Sequence, residues 1–425
     1  MKRRHFLGLG AAGASAYLLA ACSNDKGSGG EVASQVSSDL TATVTYAMWA
    51  EDQKATIQQM VAAFNKSYPN IKVNITVTPW ENYFTKLQTQ ANGGQLPDVF
   101  WMNSGNFSLY ASEKQLEPLG PLGIDSSVFV NGLNETYSYD GTIYGAPKDY
   151  DTIGLFYNKA ILQRAGVPEP TADWTWDTYH ENAKKISDKL KGEGIYGAGG
   201  GWANQELLYP LIYTYGGKVI TDDKKSGYDS EAGKKALKLI HDMAADGSTP
   251  DEKFVAENWI TEVFGAGKIG MMTGGNWNAG ILKPMKAFGD IQVAPLPKGT
   301  QQATVIHGTG HVVSAKSKNK QAAGALVQFL AGKEAGEIQG KSGGAIPAYK
   351  GLEQGYVSQY PTLKIKEAFV DVAPSAQPMP ASKNTAAWQK HESEFLPKIV
   401  SGELSVDDGA KALAEAINKD LAAEK

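Results

Sequence analysis

The chain has 425 residues, 42% hydrophobic and 20% charged. That is globular composition with room for more than one core, because single cores stop growing at roughly 250 to 300 residues, so two lobes are expected. Its 41 Lys and Arg face 45 Asp and Glu; without Lys2, Arg3 and Arg4 the balance is more acidic still. This excludes nucleic acid as a partner, since affinity for phosphate backbones comes from clustered cations displacing counterions. The single cysteine, Cys22, excludes a disulfide framework and a cysteine metal cluster.

Met1 to Ala21 reads as an export signal, with a basic start, an apolar stretch from Phe6 to Leu19 and small residues before Cys22. That stretch is short of the roughly 20 residues a membrane-spanning helix needs. Leu19-Ala20-Ala21-Cys22 resembles a bacterial lipobox, in which the cysteine thiol is diacylated and becomes the new N-terminus. Arg3-Arg4-His5-Phe6-Leu7 resembles a twin-arginine export motif, with Gly8 where lysine is usual. Residues 22–40 are rich in Ser, Gly, Asp and Lys and form a tether of about 25 Å reach. The expected address is extracytoplasmic, anchored in the cell membrane through Cys22, with the folded body beginning near Thr41.

Thr41 to Trp49 is a short β-branched and apolar strand. Ile57, Met60, Val61 and Phe64 then recur at i, i+3, i+4 and i+7, a helix with one buried face. Ile71, Val73, Ile75 and Val77 alternate with polar residues, a strand. A helix over 82–91 ends at Gly93-Gly94, and Asp98 to Met102 is a further strand. This alternation predicts an α/β lobe built on a parallel sheet. Ile153 to Asn158 is the next strand; Pro147 just before it removes an amide donor, so the ladder is interrupted there and the chain passes to a second sheet. Helices are expected over 176–190, 206–213, 230–245, 318–331 and 406–421, and strands over 268–272 and 305–314. Crossings near Pro147, His307 and Ala345 predict two lobes woven together.

Most motif matches fail on context. Gly8-Leu9-Gly10-Ala11-Ala12-Gly13 fits the dinucleotide fingerprint but lies inside the export signal with no strand before it. Gly340-Lys341-Ser342 lacks the earlier glycine of a phosphate loop. His307 and His311 sit in an extended stretch, where four residues span about 13 Å, too far for two nitrogens each about 2.1 Å from one zinc. No metal and no cofactor is expected. Gly340-Lys341-Ser342-Gly343-Gly344 fits the Gly-x-Ser-x-Gly pattern, but a helix precedes it where a nucleophile elbow has a strand, and a hydrolytic carboxylate pair depends on spatial separation that spacing in sequence does not give.

The remaining signal is aromatic. Trp49, Trp101, Trp202 and Trp277 are flanked by small or polar residues, as in Gly274-Gly275-Asn276-Trp277-Asn278, and Trp388 is of the same kind. Such residues at strand C-termini line the clefts of open α/β sheets. The chemistry implied is a sugar site: an indole takes the C–H face of a pyranose while Asp, Glu and Asn take its hydroxyls. Trp101 is expected to point partly into the first lobe.

Thr43 to Trp49, Gly94-Gln95-Leu96-Pro97-Asp98-Val99, Tyr144 to Pro147 leading to Leu155-Phe156-Tyr157-Asn158-Lys159, Trp174-Thr175-Trp176-Asp177, Gly267 to Met272 with Trp277, and Ser314-Ala315-Lys316-Ser317 occur in an order that resembles the extracellular solute-binding proteins (family 1) of bacterial ABC importers, the maltose-binding-protein-like sugar binders. The resemblance covers nearly the whole chain after the tether. It implies a two-lobed, periplasmic-binding-protein-like α/β fold with three crossovers, lobe one over 41–149 with 308–346 and lobe two over 150–307 with 347–425. It implies ligand contacts at Trp49, Glu51 and Asp52; Tyr83; Asn103 and Ser104; Asp149 and Asp151; Trp202, Tyr209 and Trp277; His307 and Gly308; and Trp388. Asn103-Ser104 stand where the maltose binder has a carboxylate, so maltose specificity is not implied. The function implied is capture of a carbohydrate, an oligosaccharide by type, and delivery to ABC permease subunits by a monomer that turns nothing over. A binder of an anion such as glycerol phosphate would want Arg or Lys in the cleft, and an exported glycosidase would want two carboxylates at a fixed gap; the expected contacts favour neither.

Overall fold

The structure, a computed structural model, describes residues 36–130, 133–200 and 204–424. The export signal, Cys22, most of the tether and Trp202 lie outside the described residues. No described helix is long and apolar enough to cross a membrane.

Strands β1 (Ala42–Met48), β2 (Ile71–Val77) and β3 (Val99–Asn103) come first, followed by the small hairpin β4 (Ser138–Tyr139) and β5 (Thr142–Ile143), then β6 (Gly145–Pro147) and the long β7 (Asp149–Asn158). Next are β8 (Tyr196–Ala198), β9 (Ile269–Gly275), β10 (Ile291–Ala294), β11 (Thr304–His307), β12 (Thr309–Val313), β13 (Ile346–Pro347) and β14 (Ala376–Pro378). They form two main sheets. The first runs β2-β1-β3-β12-β6, and the second runs β14-β11-β7-β9-β8 with β10 and β13 also on β7.

The expected parallel sheet is present only in part. β1 pairs parallel with β2 and β3, but β12 runs antiparallel to both β3 and β6, so the first sheet is mixed. In the second, β7 is antiparallel to β9, β10, β11 and β13. β-strands joined by helical crossovers pair parallel, whereas strands returning from another lobe have no such constraint.

All ten residues of β7 are buried. Its successive side chains point to opposite faces. Ile153, Leu155 and Tyr157 join a core with Trp176, Leu211 and Ile417, while Phe156 joins Phe264, Ile269 and Phe369 in the core that continues through the first sheet. The helix Lys54–Phe64 buries Ile57, Met60 and Phe64 against that first core, the periodicity expected of it.

The three crossovers converge on the first residues of β7. The chain leaves the first sheet at Pro147 and enters the second at Asp149. It returns between β11, where His307 pairs with Asp151, and β12, where Thr309 pairs with Asn103. It leaves again through β13, where Ile346 pairs with Tyr150 and Pro347 with Asp149. The stretch 305–314, expected as one strand, is therefore two strands in different sheets. Gly308 is the break: a Cβ there would lie 2.2 Å from the Asp149 carbonyl oxygen, so only glycine permits this close crossing of two backbones.

Candidate functional site

The site is assembled where β1 and β3 end and the hinge strands meet. At the end of β1, Trp49 is partly exposed and packs edge-on against Trp80 (ring centroids 5.3 Å), Tyr83 (5.2 Å) and Trp101 (4.9 Å). The perpendicular arrangement suits aromatic quadrupoles. Trp80, at the start of the helix Trp80–Asn92, is half exposed. It was not expected as a site residue, although Pro79 and Glu81 beside it supply the same polar or turn-forming context that marked the other tryptophans. Glu51 and Asp52 lie exposed in the short turn Glu51–Gln53, where Glu51 pairs with Lys54 at 3.0 Å.

At the end of β3, Asn103 caps the helix Ser104–Ser112, its side-chain oxygen accepting from Asn106 N at 3.0 Å. Ser104 lines a cavity of about 560 Å³ between this helix and residues of the second lobe, among them Tyr213, Lys218, Asp222, Gln377 and Met379. Lys218 in that wall is paired with Asp222 at 2.6 Å, so this cation comes with its own counter-charge.

On the hinge side, the Trp277 indole folds back over Gly275, where a Cβ would fall 1.7 Å from the ring. Its edge meets the His307 imidazole at 5.4 Å and 61°. His307 is held neutral, its pKa pushed down to about 4 by burial against the opposing pull of Asp149. Its Nε2 has no hydrogen-bond partner, while Nδ1 stands 3.9 Å from Asp151 Oδ2. Asp151 accepts from Asn276 Nδ2 at 3.0 Å, and Asn276 Oδ1 in turn takes the Thr152 amide at 3.1 Å. Burial, with Asp149 adding to it, pushes the Asp151 carboxyl well above the usual carboxylate range.

Asp149 is committed to the hinge. It pairs with Lys148 and accepts the Thr309 amide at 2.7 Å. Lys148, itself buried, also donates to Gln53 Oε1 at 2.9 Å and lies 4.5 Å above the Trp101 ring. Sequence patterns did not single out Lys148, because its partners come from separate parts of the chain. Tyr137 joins the same point, its hydroxyl donating to Met102 O (3.0 Å) and Gly308 O (2.7 Å).

Three residues expected to contact ligand are placed in the packed interior. Tyr83 donates to Ala47 O and Trp101 O and is 1% exposed. Tyr209 donates to the Glu392 carboxylate at 2.9 Å and is wholly buried, and Trp388 is wholly buried with its Nε1 on Ser382 Oγ at 2.9 Å. Each lies on the inward face of a helix, as Tyr83, Leu87 and Ala91 show by their spacing of four. Trp101 is likewise interior, its Nε1 donating to Tyr46 Oη at 2.6 Å.

The second lobe adds polar groups not expected from sequence. Glu206 is partly buried, and burial raises its carboxyl to about 7, with Asn278 pulling the other way. Asn204 donates to Glu392, leaving its own side-chain oxygen buried without a partner. Glu392 accepts from Tyr228 at 2.5 Å as well as from Tyr209, and burial raises it to about 8. Among the described residues no group of three or more His, Cys, Asp or Glu is placed to hold a metal ion.

A mixed two-sheet architecture with three hinge crossings, partly exposed indoles at Trp49, Trp80 and Trp277 and a cavity between the lobes defines a solute-binding protein. Residues 50–337 match the family of bacterial extracellular solute-binding proteins, and the chain belongs to that family. It is similar to the galactooligosaccharide-binding protein of Bacillus subtilis, 25% identical over 320 residues that cover 72% of this chain and 73% of the relative. It is also similar to the diacetylchitobiose binding protein DasA of Streptomyces coelicolor, 26% identical over 450 aligned positions spanning 100% of both chains. Among solved structures, an ABC substrate-binding protein from Listeria monocytogenes in complex with cycloalternan superposes with a TM-score of 0.83 at 26% identity, covering 90% of this chain and 99% of that one.

Proposed function

We propose that this protein captures an oligosaccharide between its lobes and delivers it to the permease of an ABC importer without chemical turnover. The observation that carries the reading is the Trp277 indole at the hinge, beside the unpartnered Nε2 of His307. A flat apolar ring next to a neutral acceptor or donor is what a sugar ring and its hydroxyls require. Trp49 and Trp80 supply a second flat surface on the first lobe, and Asn204, Glu206 and Asp151 supply polar groups. The sugar ligands named for the relatives support the class. Their variety supports no single sugar.

The lobes are taken as 41–149 with 308–346 and 150–307 with 347–425, boundaries supported by the nearby passages of the chain between the two sheets. Tyr83, Tyr209, Trp388 and Asp149 act behind the site and not in contact with ligand. Trp202, Gly308, Glu51, Asp52, Asn103 and Ser104 stay with the proposed cleft. Ligand bridging both lobes binds the closed arrangement better than the open one, and the hinge population shifts by that difference in affinity. Lipidation of Cys22 would hold this single chain at the outer face of the cell membrane, near its permease.

The test is a thermal-shift screen of the full chain with mono- and oligosaccharides, followed by calorimetry and solution scattering on hits. A native-state ligand raises the melting point by mass action and is expected to compact the protein and be recovered unchanged. If no sugar shifts the melting point while a phosphorylated solute does, the carbohydrate reading fails.

A further inference from the structure

The segment 376–384 forms one wall of the 560 Å³ cavity through Gln377, Pro378, Met379, Pro380 and Ala381. Its first half is fixed to the second sheet. β14 pairs with β11, Met379 N donates to Ile306 O at 3.0 Å, and Tyr213 Oη donates to Pro378 O at 3.1 Å. Beyond Ala381 no strand holds it, and the next element, the helix Thr385–Val400, has no side-chain cap from its own preceding residue Asn384.

The fixing group comes from the far end of the chain. Glu424, just past the helix Val406–Ala423, turns its carboxylate onto three successive residues. Oε1 accepts from Ser382 Oγ at 2.6 Å and from Asn384 N at 2.9 Å, and Oε2 accepts from Lys383 N at 3.0 Å. Ser382 Oγ passes the constraint on by accepting from Trp388 Nε1 at 2.9 Å. A carboxylate set against the amides just before a helix sits at the positive end of the helix dipole. Here it also ends the cavity wall at a fixed point. Leu109 and Ser112 of the first-lobe helix Ser104–Ser112 face Lys383, Asn384 and Glu424 across a second cavity, and Ser104 and Ser108 of that helix face the first. The pinned segment therefore runs between the lobes.

We infer that Glu424 is a positioning residue for the ligand site: by clamping residues 382–384 it sets the cleft wall 377–381 in the shape that receives solute. The inference rests on the proposal that this cleft binds sugar, so its test carries one readout that needs no sugar. Amide hydrogen exchange is compared in wild type, Glu424→Ala, Glu424→Asp and Asp420→Asn. The last removes the carboxylate charge from the 3.0 Å His391–Asp420 contact that ties together the same two helices but leaves the clamp intact. Glu424→Ala is expected to speed exchange at Lys383 and Asn384 at least tenfold, with Glu424→Asp between it and wild type and Asp420→Asn unchanged there.

Calorimetry on the same four proteins uses maltotetraose, diacetylchitobiose and a galactotetraose as probes. For whichever probe wild type binds, Glu424→Ala is expected to weaken affinity at least fivefold, and Asp420→Asn to leave it within twofold even if its melting point falls as far. Equal loss of affinity in Glu424→Ala and Asp420→Asn, or exchange at 383 and 384 within twofold of wild type in Glu424→Ala, overturns the inference. If wild type binds none of these probes, the sugar that the thermal-shift screen identifies takes their place, and the exchange comparison by itself decides whether the clamp holds the wall: unchanged exchange at 383 and 384 in Glu424→Ala overturns the inference.

Discussion

Trp277 presents its edge to His307 at a centroid distance of 5.4 Å, and the two rings come from strands that belong to different stretches of the chain, one leaving β9 and one ending β11. Because Gly275 lets the indole fold back, the ring is held without a side chain beneath it. Trp277→Ala is expected to weaken sugar affinity at least tenfold, about 1.4 kcal/mol, with little change in melting point, since the ring is only partly buried. Calorimetry on the variant checks this; affinity within twofold of wild type would remove Trp277 from the site.

The same burial that holds His307 neutral gives a pH prediction. With its pKa near 4, His307 stays uncharged from pH 5.5 to 8. His307 therefore adds no pH dependence to sugar affinity over that range, where Glu206, raised to about 7, is the group that titrates, and His307 lowers affinity only as the imidazole charges below about pH 5. Titrations at pH 4, 5.5, 7 and 8 on wild type and His307→Gln check this, the variant being expected to lose the acid decline.

How much of this was readable in sequence differs sharply between residues. The strands of the first lobe and the passage at Pro147 follow from periodicity and from proline chemistry, which act over a few neighbours. Trp388 shows where that ends. Ala386-Ala387 and Gln389 around it look like cleft context, yet the helix Thr385–Val400 turns Trp388, Glu392 and Leu396 inward together, and only packing against a distant helix decides which face is inside. The crossing near His307 is expected from the sequence, but 305–314 reads as one strand, because Val305-Ile306 and Val312-Val313 are β-forming and the clash that requires glycine at 308 is with Asp149, about 160 residues away in sequence.

Glu392 makes that buried helix face testable. Its carboxyl is raised from the ordinary 4.5 to about 8, chiefly by burial. A carboxyl that resists ionising in the folded state stabilises it fully below about pH 4.5, and the contribution is lost as pH rises toward 8. His307 and His311, lowered to about 4 and about 3, act the other way, supporting the fold above about 6.5 and withdrawing support as pH falls through those values. Wild type should thus lose melting temperature between about pH 6.5 and 8.5, above the range in which the histidines act, and Glu392→Gln should flatten that slope, an effect on the order of 2 kcal/mol at the alkaline end. Parallel melting curves for the two proteins would rule out Glu392 as the source.

Lys148 and Asp149 form an ion pair with almost no solvent exposure where all three crossovers meet. Breaking such a pair by removing one partner strands the other charge, at a cost of about 3 to 5 kcal/mol, whereas removing both leaves none stranded. Lys148→Met alone should destabilise the chain by about that much, and Lys148→Met with Asp149→Asn by clearly less, measured by denaturant unfolding. A double variant that loses the sum of the two single losses would mean the pair is not coupled.

Gly308 gives the sharpest backbone prediction, because its environment names the atom that would be struck. Gly308→Ala puts a methyl 2.2 Å from Asp149 O and 3.1 Å from its carbonyl carbon, and neither can withdraw without disturbing the β7 pairing with β11 and β13. A cost of about 2 kcal/mol or more follows, together with a shift in the relative setting of the lobes. Gly192→Ala is the matched control, since a methyl there meets nothing within 4 Å and should leave the melting point unchanged or slightly raised. Because the clash is between the two backbones that cross in the hinge, Gly308→Ala should also weaken ligand-induced compaction in solution scattering more than it weakens the lobes themselves. A variant that melts and compacts like wild type would show that the two backbones have room to separate, and that the hinge does not depend on glycine at this crossing.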